Sequence, residues 1–173
     1  MIKLFLLMLI ISINTYAEES EYAWQIEKVQ DKGVMYSKNG EYVWGDRIYF
    51  IKESKDCEQD FIIFTWSSDD DGYELNNTNL FTLFLDDLEL KNPTGNRYKL
   101  AADLQNISTI AGTLKALHYS TVEIEPWIKS KLLSTKELKI KSDIKKLHLD
   151  TEAYDFTEFN KINKQAYDLC KKI

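Results

Sequence analysis

Residues 154–173 read Y-D-F-T-E-F-N-K-I-N-K-Q-A-Y-D-L-C-K-K-I. Apolar residues recur in this stretch at steps of three and four: Phe159, Ile162, Ala166, Leu169 and Ile173. This spacing places them on one face of a helix. We expect Thr157 to cap the start of the helix, and Lys171 and Lys172 to complement the helix dipole at its end. The stretch therefore predicts a C-terminal amphipathic helix that docks on the rest of the domain.

The first 17 residues have the pattern of a secretory signal peptide. Lys3 gives a basic start, residues 4–13 form an apolar run, and small residues at Thr15 and Ala17 precede the acidic run 18–21. The apolar run is about half as long as the roughly 20 residues that a membrane span needs. We therefore predict cleavage near Ala17 and a single exported domain over residues 18–173, with a periplasmic or secreted location and no transmembrane segment in the mature chain.

Only two cysteines are present, Cys57 and Cys170. Exported proteins fold in an oxidising compartment, where two cysteines that are the only ones in a chain usually form a disulfide. We expect Cys57 and Cys170 to be joined; the alternative is two free, buried thiols.

The formal net charge of the chain is −6, and it becomes −7 once Lys3 is removed with the signal. Non-specific binding to nucleic acid depends on Lys and Arg side chains that displace counterions from phosphates. The acidic balance therefore argues against a nucleic-acid partner. A composition rich in Lys, Ile, Asn and Tyr suggests a bacterial source.

The N-terminal half has the alternation and turns of strands. Apolar and polar residues alternate around Trp24, and Asn39-Gly40 is a strong hairpin signal between residues 34–36 and 42–44. Residues 47–52 continue in strand character. We predict a polar loop over 53–60 that contains Cys57, followed by a central strand at 61–66 (F-I-I-F-T-W), which is apolar on both faces.

The second half mixes strands and helices. Residues 92–96 (N-P-T-G-N) are a turn, and strands are predicted after it, at 119–125 and at 138–141. Residues 107–117 fit a helix by periodicity, but their Ser, Thr and Gly content opposes a strong one, so both alternatives stay open. A short helix is expected at 127–133, with Pro126 in its first turn. The fold class is α+β: an antiparallel, twisted sheet with a short helix and a C-terminal amphipathic helix docked on it.

Motifs for metals and cofactors are missing. If Gly72 is set at the sixth position of a calcium-binding loop, Ser67 and Thr78 occupy the first and twelfth positions, where strong ligands are needed. No cysteine or histidine spacing resembles a zinc site, and no phosphate-binding glycine motif occurs. We expect no cofactor and no metal.

The remaining catalytic alternative is a hydrolase whose site is assembled from distant residues. His118 and His148 are the two histidines, and no nucleophile elbow of the G-x-S-x-G type occurs. A Ser-His-Asp site can still form across the fold. It would bring one of these histidines into hydrogen-bond reach of a serine and an aspartate.

Aromatic residues are numerous, and most are expected in the core. The sharper hypothesis is an aromatic surface that binds a partner protein. The best candidates are in the N-terminal hairpin region, away from the central strand: Tyr22, Tyr36, Tyr42 and Trp44.

Three segments together carry a resemblance to a known family. Cys57 precedes the apolar strand, P-W-I-K-S-K-L-L at 126–133 precedes another strand, and an F-x-x-F…A-x-x-x-C pattern ends the chain. This layout resembles small exported bacterial proteins of the invasion-associated locus B kind, and a similar accessory protein associated with type VI secretion. The chain differs from that pattern at Glu158, where a glycine is common. The resemblance implies a fold and a compartment, and it carries over no catalytic residue.

Two functions follow as hypotheses. The first is a non-enzymatic accessory or inhibitory protein that binds another exported or envelope protein. The second is a secreted effector or hydrolase with the dispersed site described above.

Overall fold

The computed structural model describes residues 23–43, 45–69, 73–144, 147 and 149–173. The predicted signal peptide, Tyr22, Trp44 and His148 lie outside these residues. The described chain contains ten strands, a 3-10 turn at Gln30–Lys32 and two helices, α1 (Pro126–Leu132) and α2 (Phe159–Cys170). The strands are β1 (Gln25–Lys28), β2 (Gly33–Asn39), β3 (Arg47–Glu53), β4 (Asp56–Ser68), β5 (Thr78–Leu85), β6 (Leu88–Glu89), β7 (Lys99–Ala111), β8 (Leu114–Glu123), β9 (Glu137–Ser142) and β10 (Thr151–Asp155).

All ten strands belong to one antiparallel sheet with the order β1-β2-β3-β4-β8-β7-β5-β9-β10, and β6 pairs with β5. The predicted α+β class is therefore confirmed. The sheet curves so that the loop after β2 reaches the other edge, where the Glu41 N–H donates to the Ala153 carbonyl. The sheet stays open, because β1 and β10 do not pair.

The predicted central strand is confirmed as part of β4, which lies between β3 and β8. Its buried positions alternate with half-buried ones, so Ile62, Phe64 and Trp66 point to the concave side. Phe64, Trp66, Phe81 and Tyr119 form an aromatic cluster with ring centroids 4.8–6.1 Å apart. Burial of these rings supplies much of the apolar driving force for the fold.

A second aromatic cluster lies beneath α2. Phe156 and Phe159 contact Trp24 and Phe50, with centroids 4.8–6.0 Å apart. The apolar face of α2 is buried at Phe159, Ile162, Ala166 and Cys170. The docking predicted from the periodicity is therefore confirmed over this shorter helix, and it places α2 on the concave side of β1–β4.

The predicted disulfide is present between Cys57 and Cys170, whose Cα atoms are 5.8 Å apart and whose sequence separation is 113 residues. It fixes the end of α2 to the start of β4. Cys57 belongs to the strand itself, so the loop expected over 53–60 is reduced to a two-residue turn at Ser54 and Lys55.

The hairpin predicted around Asn39-Gly40 is wrong in its second strand. β2 pairs with β3, with Asn39 opposite Arg47, and the described residues 40–43, 45 and 46 belong to the connection between them. The loop is wide because the backbone N–H groups of Tyr42 and Val43 donate to Glu152 of β10 instead of to β2.

Two other expectations change. Residues 107–117, left open between helix and strand, form the hairpin of β7 and β8. The helix predicted within residues 154–173 begins at Phe159, and residues 151–155 pair with β9 as strand β10. The predicted cap at Thr157 is wrong: Glu158 is the N-cap residue, and no side chain accepts a capping hydrogen bond there. Neither of the two described helices has the length and apolar content needed to cross a membrane.

Candidate functional site

The structure separates the predicted aromatic candidates that it describes. Tyr42 is on the β2–β3 loop and has 51 % of its surface exposed. Tyr36 is 0 % exposed and stacks on Phe50 at 5.2 Å. Tyr36 is therefore a core residue, and only Tyr42 is available at the surface. Tyr22 and Trp44 lie outside the described residues.

The convex side of the sheet carries an apolar face that we call the outer face. It consists of Met35, Tyr49, Ile51, Phe61 and Ile63. These residues alternate with the core positions of β2, β3 and β4, and each is half-buried. The pairing of the three strands aligns Met35, Ile51 and Phe61 in one row, and Tyr49 and Ile63 in the next.

A cavity of about 520 Å³ lies at one end of the outer face. Met35 and Ile51 line it together with Val29, which is exposed. Charged residues surround these apolar ones: Lys32, Glu53 and Lys55. An apolar interior with a charged rim is the usual anatomy of a surface that receives a partner's side chain.

Arg47 covers the opposite end of the outer face. Its guanidinium lies 5.7 Å from the centroid of the Tyr49 ring, and its Nη2 donates to Gln25 Oε1 at 2.6 Å. The cation–π contact and the hydrogen bond hold Tyr49 and Arg47 in one arrangement. The outer face therefore has a preorganised rim on the side of the β2–β3 loop.

Glu152 anchors that loop. Its Oε1 accepts the N–H groups of Tyr42 at 2.8 Å and of Ala153 at 2.9 Å, and its Oε2 accepts that of Val43 at 2.9 Å. Burial raises the pKa of Glu152, and the backbone hydrogen bonds oppose this shift. The carboxylate thus replaces the hydrogen bonds that a tight hairpin would have made.

A second carboxyl group closes the same loop. Asp46 is 1 % exposed, and its Oδ1 accepts a hydrogen bond from Ser67 Oγ at 2.7 Å. Its Oδ2 is buried without a hydrogen-bond partner among the described residues. Burial raises the pKa of Asp46 to about 7, the Ser67 hydrogen bond opposes the shift, and the charge of Glu152 adds to it. Asp46 therefore exchanges its proton near neutral pH.

The histidine that the structure describes has a serine partner. Ser108 Oγ and His118 Nε2 are 2.9 Å apart on the paired strands β7 and β8. Burial lowers the pKa of His118, which favours the neutral form of the ring. No carboxylate is hydrogen-bonded to His118 within the described ranges, and neither residue lines the cavities characterised in this structure. The pair lacks the third group that orients a catalytic histidine.

Metal ligands do not gather in the described part of the chain. No group of three or more His, Cys, Asp or Glu side chains there is arranged to hold an ion.

The sequence does not predict that the residues of the outer face form a surface. In residues 47–52 (R-I-Y-F-I-K), both faces of the strand are apolar except at the ends. Such a run is typical of a strand buried on both sides, so Tyr49 and Ile51 read as core. One available signal is that only the C-terminal helix and one short helix, at 127–133, are predicted, which is too little helix to cover both faces of a large sheet.

Comparison of the chain with family models, curated proteins and solved structures found no match.

Proposed function

We propose that this protein is an exported, non-enzymatic interaction protein that binds another exported or envelope protein through the outer face. The observation that carries the proposal is the alignment of Met35, Ile51 and Phe61 across three neighbouring strands, next to a cavity of about 520 Å³. The export itself is proposed from the signal-like residues 1–17 and agrees with a disulfide-linked chain.

The apolar residues of the outer face are half-buried, and they need an explanation. Helix α2 does not cover them, because it lies on the concave side, where Phe159 contacts Trp24 and Phe50. Antiparallel sheets that face water on one side normally alternate apolar and polar residues. Here the water-facing positions of β3 and β4 include Tyr49, Ile51 and Ile63. Apolar side chains at such positions are typical of a protein-binding surface.

The kind of partner follows from charge and shape. The chain has a formal net charge of −6, which disfavours polyanionic partners. The cavity beside Met35 is apolar at its base, with Lys32, Lys55 and Glu53 at its edge. We propose a protein partner that inserts an apolar side chain into this cavity and meets the rim with charges of both signs. Such an anchor in a pocket is how interface hot spots are built.

Site-specific photocross-linking tests this function. A photoreactive phenylalanine analogue replaces Tyr49 in the full chain, expressed in cells of its source. The control position is Leu88 of β6, an exposed apolar residue on a strand that pairs only with β5. We expect a discrete adduct of defined mass from position 49 and none from position 88. Equal adducts from both positions, or none from position 49, would contradict the proposal.

The hydrolase alternative rests on the Ser108–His118 hydrogen bond alone. Its test is the hydrolysis of a panel of ester and amide substrates by the wild-type protein and by Ser108→Ala. We expect no rate that the Ser108→Ala substitution removes. A rate lost in Ser108→Ala and in His118→Ala, but kept in Ser120→Ala, would favour the hydrolase.

A further inference from the structure

A buried ion cluster lies on the concave side, away from the outer face. Asp60 is 1 % exposed, and its carboxylate contacts two ammonium groups and one hydroxyl. Its Oδ1 lies 2.8 Å from Lys52 Nζ and 2.8 Å from the Tyr36 hydroxyl, and its Oδ2 lies 2.8 Å from Lys129 Nζ. The Lys52 side chain is 0 % exposed and that of Lys129 is 18 % exposed. The cluster therefore sets two ammonium groups against one carboxylate.

This arrangement has an excess of positive charge. Burial lowers the pKa of Lys52, the carboxylate of Asp60 opposes this shift, and the charge of Lys129 adds to it. Lys52 and Lys129 share the single carboxylate of Asp60, so each ammonium gains less compensating attraction than it would from a counter-ion of its own. A stable cluster of this kind favours a second anion close to Lys129.

An open cleft of about 410 Å³ reaches the cluster between α1 and α2. Its polar lining consists of Lys52, Lys129, Lys164, Asn160, Asn163 and Glu58. Leu133 of the turn after α1 and Tyr167 of α2 supply apolar and aromatic surface. The three lining lysines and the carboxylates of Asp60 and Glu58 sum to +1, and Asp56 and Glu123 lie in a neighbouring pocket that Lys129 also lines.

The ammonium group of Lys129 retains hydrogen-bonding capacity. It has three N–H donors, one of which is directed to Asp60 and one to the Glu58 carbonyl. The described residues offer no acceptor to the third, so it is open to a ligand. Lys164 stands exposed at the rim of the same cleft. Two cationic donors therefore border a space that also has apolar walls.

We propose that the cleft between α1 and α2 binds a small monocarboxylate with an apolar body. Its carboxylate pairs with Lys129 and Lys164, and its body packs against Leu133 and Tyr167. A single negative charge neutralises the excess of +1, whereas a dianion would reverse it beside Glu58 and Asp60. Charge-assisted hydrogen bonds to the carboxylate provide recognition, and burial of the apolar body adds affinity. The site is separate from the outer face and does not depend on the function proposed above.

Amide NMR titration of the full disulfide-bonded chain tests the site. The probe is benzoate, and benzamide is the neutral analogue of the same shape. Inorganic phosphate is the anion without an apolar body. We expect saturable shifts of the Leu133, Asn163 and Tyr167 amides with benzoate, and no saturable shifts with benzamide or phosphate.

Two matched substitutions locate the charge that is required. Lys129→Gln removes the inner ammonium, and Lys131→Gln removes an exposed one from the same helix. We expect Lys129→Gln to weaken benzoate binding by about tenfold or more, and Lys131→Gln to leave it unchanged. Lys164→Gln, at an exposed rim position, gives the same readout if Lys129→Gln fails to fold. No benzoate shifts in the wild type, equal binding of benzamide, or binding unaffected by Lys129→Gln and Lys164→Gln would each overturn the proposal.

Discussion

The Oε1 of Glu152 accepts a hydrogen bond from the backbone N–H of Tyr42 at 2.8 Å, although 110 residues separate them in the chain. The approach is so close that a Cβ atom at Gly40 would lie 2.5 Å from Glu152 Cδ. A glycine at position 40 and a buried carboxylate at position 152 therefore define the loop that carries Tyr42. This contact joins the β2–β3 loop to the edge strand β10.

Replacing that carboxylate should loosen the loop. Glu152→Gln keeps one acceptor oxygen and turns an NH₂ group toward a backbone N–H, so at least one hydrogen bond is lost. We expect the free energy of unfolding to fall by about 1–3 kcal/mol. Hydrogen exchange should accelerate at the Tyr42 and Val43 amides and stay unchanged at the centre of β4. Unchanged exchange at both loop amides would show that Glu152 does not anchor the loop.

Replacing Asp46 should stabilise the protein at high pH, whereas Glu152→Gln destabilises it. The folded pKa of Asp46 is raised to about 7 from an ordinary value of 3.8, so the folded state holds the proton more tightly than the unfolded state. The stability that this proton contributes is complete below about pH 4 and is lost as the pH rises through 7. The Asp46→Asn variant has no carboxyl group to titrate, so its stability does not fall in this way as the pH rises. We expect the stability of the variant relative to the wild type to rise by about 4 kcal/mol between pH 4 and pH 8.

The measurement is urea unfolding of both proteins at pH 4, 6 and 8. The difference in the free energy of unfolding should grow with pH, and it should be smallest at pH 4. A difference that is constant across the three pH values would contradict the titration of Asp46. Asp155→Asn is the control for a carboxylate with the reverse shift, because its pKa is lowered despite partial burial, by backbone and side-chain hydrogen bonding to Thr157 and by Lys38.

Replacing Asp60 should destabilise the protein far more than replacing a surface carboxylate. Asp60→Asn leaves the buried ammonium of Lys52 without its counter-ion, and breaking a buried ion pair in this way costs about 3–5 kcal/mol. Glu158→Gln is the matched control, since Glu158 pairs with Lys161 at the exposed start of α2 and such pairs contribute about 0–1 kcal/mol. Equal effects in thermal unfolding would refute the buried cluster as a stabilising feature.

The disulfide should contribute by closing a long loop. For a sequence separation of 113 residues, the chain-entropy estimate is about 4–5 kcal/mol. The double variant Cys57→Ser/Cys170→Ser should lose stability of this order in urea unfolding, and the wild type in reducing agent should match it. A reduced wild type that is as stable as the oxidised protein would contradict this role.

Local sequence signals identified the elements whose causes are local. The apolar run at 61–66 identified the central strand, which lies between β3 and β8. Pro126 identified the start of α1, where the missing N–H costs nothing. The pairing of Cys57 with Cys170 follows from their number alone. The apolar stripe of α2 likewise fixed its docked face, at Phe159, Ile162 and Ala166.

Features with distant causes could not be predicted. The Asn39-Gly40 signal is typical of a tight hairpin, but Glu152 captures the loop amides from 110 residues away. The positions of Tyr154 and Phe156 are compatible with the periodicity of the following helix and also with that of a strand. Residues 151–155 form strand β10 because they pair with β9. Lys52 is expected at the polar end of a strand, yet its side chain is buried, where it forms an ion pair with Asp60.

The affinity of the cross-linked partner for two charged variants tests the outer face most directly. Ile51→Lys places a charge at the centre of this face, and Leu80→Lys places the same charge at an exposed apolar position on β5. Calorimetric titration of the purified partner should show binding weakened about 30-fold or more by Ile51→Lys and unchanged by Leu80→Lys. Equal affinities for wild type and a folded Ile51→Lys would contradict the assignment of this face as the binding surface.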